Sequence, residues 1–204
     1  MTEDLNVPND WVRFSSIDNL VYDSNSNLVY LVGGTGVFGA YNRTSNIKED
    51  LRATDTGNWI GTTSISGVTY DSNSNLVYLV GGNLFGVYNR TSNITENLTE
   101  TDPGNWIGTT GINGVTYDSN SNLVYLVGNS GRFGVYNRTS NITENLNETD
   151  TGNWIGALAI NSITYDSNDN LVYLVGGTSV FGVYNRTSNI TENLNETDTG
   201  NWIG

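Results

Sequence analysis

The sequence predicts an all-β chain, a β-propeller of four near-identical blades, each a four-stranded antiparallel sheet. Three observations predict it. One motif recurs: Trp11, Trp59, Trp106, Trp154 and Trp202 stand 48, 47, 48 and 48 residues apart, with WIGTTxIxGVTYDSNSNLVYLVGGxxxFGVYNRTSNITENLxETDTGN running between them. The 204 residues include 32 Asn and 24 Gly but only four Ala, a mix that disfavours helices and favours turns. Each repeat holds four short apolar or β-branched runs divided by turn signals. A sheet of under about 50 residues with two apolar faces cannot bury itself alone, so copies must stack face to face. Radial stacking, with the first strand at the axis and the last on the rim, gives a propeller.

The repeat divides the chain into an N-terminal segment 1–10, blade 1 (11–58), blade 2 (59–105), blade 3 (106–153) and blade 4 with its terminal stub (154–204). Thr2-Glu3-Asp4-Leu5 echoes Thr95-Glu96-Asn97-Leu98, the last strand of a repeat. In blade 2, strand A is Gly67-Val68-Thr69-Tyr70, stopped by Asp71-Ser72-Asn73-Ser74-Asn75. Strand B, Leu76 to Val80, is an unbroken apolar run, as expected of a strand covered on both faces. Gly81-Gly82-Asn83 ends it, and strand C follows from Phe85 to Tyr88, up to Asn89-Arg90-Thr91-Ser92-Asn93. Strand D, Ile94 to Thr99, is polar and alternates weakly, which suits an outer edge.

Composition removes several function classes. With no Cys and no His, there is no disulfide, no thiolate nucleophile, no Ser-His-Asp triad and no His- or Cys-ligated metal. A net charge of −13, from 8 basic and 21 acidic residues, argues against nucleic-acid or anionic-membrane binding. No apolar stretch approaches the roughly 18 residues of a membrane span, and MTEDLNVPND lacks signal-peptide character. A soluble protein is expected, with its compartment left open.

Several repeated groups invite chemistry. The D-x-N-x-N runs at Asp23, Asp71, Asp118 and Asp166 (where Asp169 enters) have the alternate oxygens of a calcium loop. Counted from Asp71, however, the sixth and twelfth positions are Leu76 and Gly82 rather than Gly and Glu. The reading is an Asx-bonded A–B turn, with no metal and no cofactor. Asn42, Asn89, Asn137 and Asn185 fit the N-glycosylation pattern, which an Asn-rich turn also generates. Arg43, Arg90, Arg138 and Arg186 recur in that turn, either ringing an anion site or pairing with a neighbouring Asp or carbonyl. The five tryptophans could stack on sugars; their fixed Gly-Asn-Trp-Ile-Gly setting favours anchors between blades. Both sets are taken as structural anchors.

Differences between repeats concentrate in the B–C turn (Thr35-Gly36-Val37, Asn83-Leu84, Asn129-Ser130-Gly131-Arg132, Thr178-Ser179-Val180) and in the stretch after Trp-Ile-Gly. In a propeller these segments open on one rim, where loops on a rigid scaffold carry recognition. Asn83, Leu84, Asn129, Arg132 and Ser179 are therefore the candidate ligand-binding residues, with drift in tolerant loops as the other explanation.

The Thr-Tyr-Asp…Asn-Leu-Val-Tyr-Leu…Gly-Val-Tyr-Asn run resembles blades of prokaryotic surface-layer and sensor-regulator propellers over almost the whole chain. It carries neither the Trp-Asp nor the Gly-His dipeptide of WD40 proteins. The resemblance implies a binding or structural module. The expected function is a non-catalytic scaffold with no catalytic residue. A glycan- or peptide-binding propeller is the second reading, and a hydrolase or lyase the remote third. Self-association is expected, two chains completing an eight-bladed homodimeric ring, with a closed four-bladed monomer as the alternative.

Overall fold

The computed structural model describes residues 16–54, 60, 63–99, 107, 111–148, 155, 158–177 and 180–197. Its strands form four antiparallel four-stranded sheets, one in each repeat, with every strand beside its sequence neighbours. Blade 1 comprises β1 (Ile17–Asp23), β2 (Leu28–Gly33), β3 (Val37–Asn42) and β4 (Ile47–Asp50). Blade 2 comprises β5 (Gly67–Asp71), β6 (Leu76–Gly81), β7 (Leu84–Asn89) and β8 (Ile94–Asn97). Blade 3 comprises β9 (Ile112–Asp118), β10 (Leu123–Gly128), β11 (Phe133–Asn137) and β12 (Ile142–Asn145). Blade 4 comprises β13 (Ile160–Asp166), β14 (Leu171–Gly176), β15 (Phe181–Asn185) and β16 (Ile190–Asn193).

The fourth strand is shorter than the sequence suggests. In blade 2 it ends at Asn97, whose Oδ1 accepts the Thr99 amide at 3.0 Å and turns the chain. Asn145 and Asn193 do the same for Asn147 and Asn195, opening single turns of 3-10 helix. Blade 4 is completed by its own fourth strand, paired through Tyr184 opposite Thr191.

The core lies between blades. Leu28, Tyr30, Val32, Phe38 and Leu51 of blade 1 pack on Val68, Tyr70, Val77, Leu79 and Tyr88 of blade 2. The same positions one repeat later join blade 2 to blade 3, and two repeats later blade 3 to blade 4. Each junction holds an edge-to-face aromatic pair: Phe38–Tyr88 at 5.3 Å, Phe85–Tyr136 at 5.3 Å and Phe133–Tyr184 at 5.1 Å. Ile60, Ile107 and Ile155, each following a tryptophan, are fully buried in these junctions. The tryptophans themselves lie outside the described residues. Glycine ends strand B because strand A enters alongside: a Cβ on Gly81 or Gly128 would run into the carbonyl oxygen of Ser64 or Gly111.

Three such junctions serve four blades, and the two outer faces stay uncovered. Val80 and Val127 are 0% exposed, whereas their blade 4 equivalent, Val175, is 47% exposed. At the other end Val68 and Val115 are 6% and 7% exposed, against 58% for Leu20 of blade 1. The described residues therefore form an open arc.

Candidate functional site

Two rims and two end faces offer surface to a partner. One rim is built of A–B and C–D turns. Asp71 Oδ1 accepts the Asn73 and Ser74 amides at 2.8 and 3.1 Å, and Asp23 and Asp118 repeat this for their own turns. These are Asx turns, closed by Asn27, Asn75, Asn122 and Asn170 in left-handed backbone with φ of 57–59°. In the C–D turn Asn89 Oδ1 accepts the Thr91 and Ser92 amides at 2.9 and 3.1 Å. The repeated Asn-x-Ser/Thr spacing thus has a local cause. Among the described residues no three metal-ligating side chains group together.

Polar rungs cross from blade to blade on this rim. Asn25, Asn73 and Asn120 each donate Nδ2 to a serine carbonyl of the next blade: Ser72 at 3.0, Ser119 at 3.2 and Ser167 at 2.9 Å. The same groups reach the hydroxyls of Tyr70, Tyr117 and Tyr165 at 3.4, 3.2 and 3.0 Å. Burial, then the nearby carboxylate of the preceding blade's Asp23, Asp71 or Asp118, raises these three phenols to about 12. Arg90 Nη1 donates to Glu49 Oε2 of the preceding blade at 3.0 Å and to Tyr88 of its own blade at 3.2 Å. Its partner is therefore a glutamate on the preceding fourth strand. Glu96 and Glu144 act electrostatically on Arg138 and Arg186 in the same sense. Arg43, with no blade before it among the described residues, lies over the Tyr22 ring at 5.4 Å. A shallow hollow on this rim runs between Ile94 and Glu96 of blade 2 and Arg138 of blade 3.

The opposite rim carries the variable residues. Asn83 and Asn129 are exposed, while Leu84 and Arg132 are half-buried. Ser179 lies outside the described residues. The entering stretch of each blade ties these turns together. Ile112 donates its amide to Gly82 O at 2.7 Å, and Asn129 its amide to Gly111 O at 3.0 Å. Asn113 Nδ2 then spans Asn129 Oδ1 at 3.0 Å and Ile160 O at 3.1 Å. Turns of neighbouring blades so become one connected edge.

No family model and no curated protein matches the chain. Solved structures do match. The crystal structure of the RRP9 WD40 repeats superposes with a TM-score of 0.63 at 11% identity, covering 88% of this chain and 51% of that one. The structure of U3-55K gives 0.65 at 14%, with coverage of 88% and 51%. The nidogen/laminin complex gives 0.66 at 15%, covering 85% of this chain and 62% of that one. The fold is a β-propeller. At such identities the likeness is one of fold, and the propeller arc spans about half the length of the WD40-repeat chain it matches. No helix among the described residues is long and apolar enough to cross a membrane.

Proposed function

We propose that this chain is a non-catalytic propeller scaffold whose encoded specificity is for its own kind, two copies closing one eight-bladed ring. The observation that carries it is the pair of incompletely covered outer faces, one with exposed Leu20 and Tyr22, the other with exposed Val175 and half-buried Tyr173. Each matches the face its counterpart buries at every internal junction, so a second arc supplies the missing neighbours at both ends. Exposed apolar side chains grouped on one face mark an interaction surface. The pair carries twice −13 charges, a repulsion that salt screens. Light scattering coupled to size exclusion tests it. Twice 22.2 kDa is expected, and a 22.2 kDa particle persisting at high micromolar concentration in about 0.5 M salt overturns it.

A second reading places a glycan or peptide on the variable rim. What favours it is the connected edge made by Gly82, Gly111, Asn113 and Asn129, which presents exposed Asn83 and Asn129 on fixed backbone. A glycan array and a peptide library probe it. Binding that survives changing both asparagines to Ala removes the site from this rim.

A further inference from the structure

Resting on the self-association reading, we propose that the second copy docks head to tail in one register, set by two polar clasps. In these, Asn168 of one protomer meets Tyr22 and Ser24 of the other, and Glu192 of one meets Arg43 of the other. Three internal junctions supply the template. At each, the third residue of the Asp-Ser-Asn run donates across the gap to a serine carbonyl and a tyrosine hydroxyl exactly one repeat on. The next in the series is Asn168, an exposed residue on the last blade. Among the described residues, the acceptors that no earlier blade serves are Tyr22 and Ser24 on the first.

The charged clasp follows the same series. Glu49 of blade 1 accepts from Arg90 of blade 2, and Glu96 and Glu144 act electrostatically on Arg138 and Arg186. The series leaves Glu192 exposed at the blade 4 end and Arg43 exposed at the blade 1 end. Orientation follows from the signs. Docking first blade to first blade sets Arg43 against Arg43, and docking last to last sets Glu192 against Glu192. Only head-to-tail docking brings opposite charges together at both seams while keeping each Asn opposite its acceptors. One twofold axis along the propeller axis makes the two seams identical.

The test uses charge reversal and mixing. Arg43→Glu and Glu192→Arg are both on exposed side chains, so each variant keeps the blade cores intact. Alone, each places like charges at both seams, and its dimer dissociation constant should rise about tenfold or more. Mixed one to one, the two variants pair opposite charges at both seams, and the mixture should regain dimers near wild-type affinity. The chain carrying both substitutions should dimerise on its own. Asn168→Ala should weaken the dimer without moving the urea midpoint of the dilute monomer. A wild-type chain that stays at 22.2 kDa sinks the self-association reading and the register with it. A wild-type dimer whose affinity ignores the reversals, or whose two variants fail to rescue each other, overturns the register and leaves self-association standing.

Discussion

The pentapeptide Leu-Val-Tyr-Leu-Val occurs in every blade, and its cover differs between the middle of the arc and its ends. In blades 2 and 3 all five residues are buried. In blade 1, Leu28, Tyr30 and Val32 are buried against blade 2, while Val29 and Leu31 are only half-covered. Blade 4 inverts this: Val172 and Leu174 are buried against blade 3, Leu171 and Tyr173 are only half-covered, and Val175 is exposed. Alternate residues of a strand point to opposite faces, so each end blade buries one half of the same pentapeptide and exposes the other. Burial here belongs to the junction between repeats, not to the repeat. The two open halves are complementary, since together they make one internal junction.

The sharpest way to break this comparison is to place a charge at one repeat position in both settings. Val127→Asp puts a carboxylate into a fully buried junction with no partner, which should cost at least about 4 kcal/mol and unfold the neighbouring blades. Val175→Asp should leave the urea midpoint of the dilute protein nearly unchanged and abolish self-association. Equal losses of stability at both positions would mean that the blade 4 face is covered within the chain. A milder version truncates the phenylalanine. Phe133→Ala should cost about 3–5 kcal/mol, because its ring packs edge to face on Tyr184 in a closed junction. The half-buried Phe181 should cost less than half of that in dilute protein, and approach the larger value where the chain is dimeric.

How far this was legible beforehand varies with the kind of signal. A repeat of 47–48 residues and the alternation inside each run were enough to assign four sheets, their strand order and the buried second strand. Periodicity states that a residue recurs; it does not state what it faces. The Asn73-to-Ser119 rung was therefore invisible, although Asn73 stands in a run singled out for calcium chemistry. Likewise the arginine turn pointed to a partner, yet Glu49 sits 41 residues from Arg90 in sequence and only blade stacking brings them together. The junction isoleucines after each tryptophan were masked by the more conspicuous indole beside them. For Ser179 and the tryptophans, the sequence remains the basis of assignment, since these lie outside the described residues.

A smaller effect sharpens the comparison at the Asx turns. Asp71 is fully buried and holds two amides, so Asp71→Ala should cost about 2 kcal/mol in urea unfolding. Asp166 on the open blade is only half-buried, and its replacement should cost under about 1 kcal/mol. Because the Asp71 oxygen facing the turn is already engaged by backbone, millimolar calcium should leave the melting temperature of the wild-type chain unmoved. A calcium-specific rise that magnesium does not reproduce, and that Asp71→Ala removes, would reverse the turn assignment.

The last effect comes from base. Tyr70, Tyr117 and Tyr165, each covered by the blade before it, have phenols raised to about 12 by burial and then by the nearby carboxylate of that blade's aspartate. In the unfolded chain a phenol titrates near about 10, so between those values the folded state holds protons that the unfolded state has released. Stability from this source is complete below about pH 10 and is lost as pH climbs toward about 12. The composition makes the assignment clean. With no Cys, no His and a single lysine beside seven arginines, phenols dominate the groups changing charge in this window. The melting temperature should hold to about pH 10 and decline above it. The phenolate absorbance of the native protein should lag behind that of the urea-unfolded chain. Native and unfolded phenols ionising together would show that the blade junctions do not shield these tyrosines, and would remove the pH-dependent half of the contrast between covered and open faces.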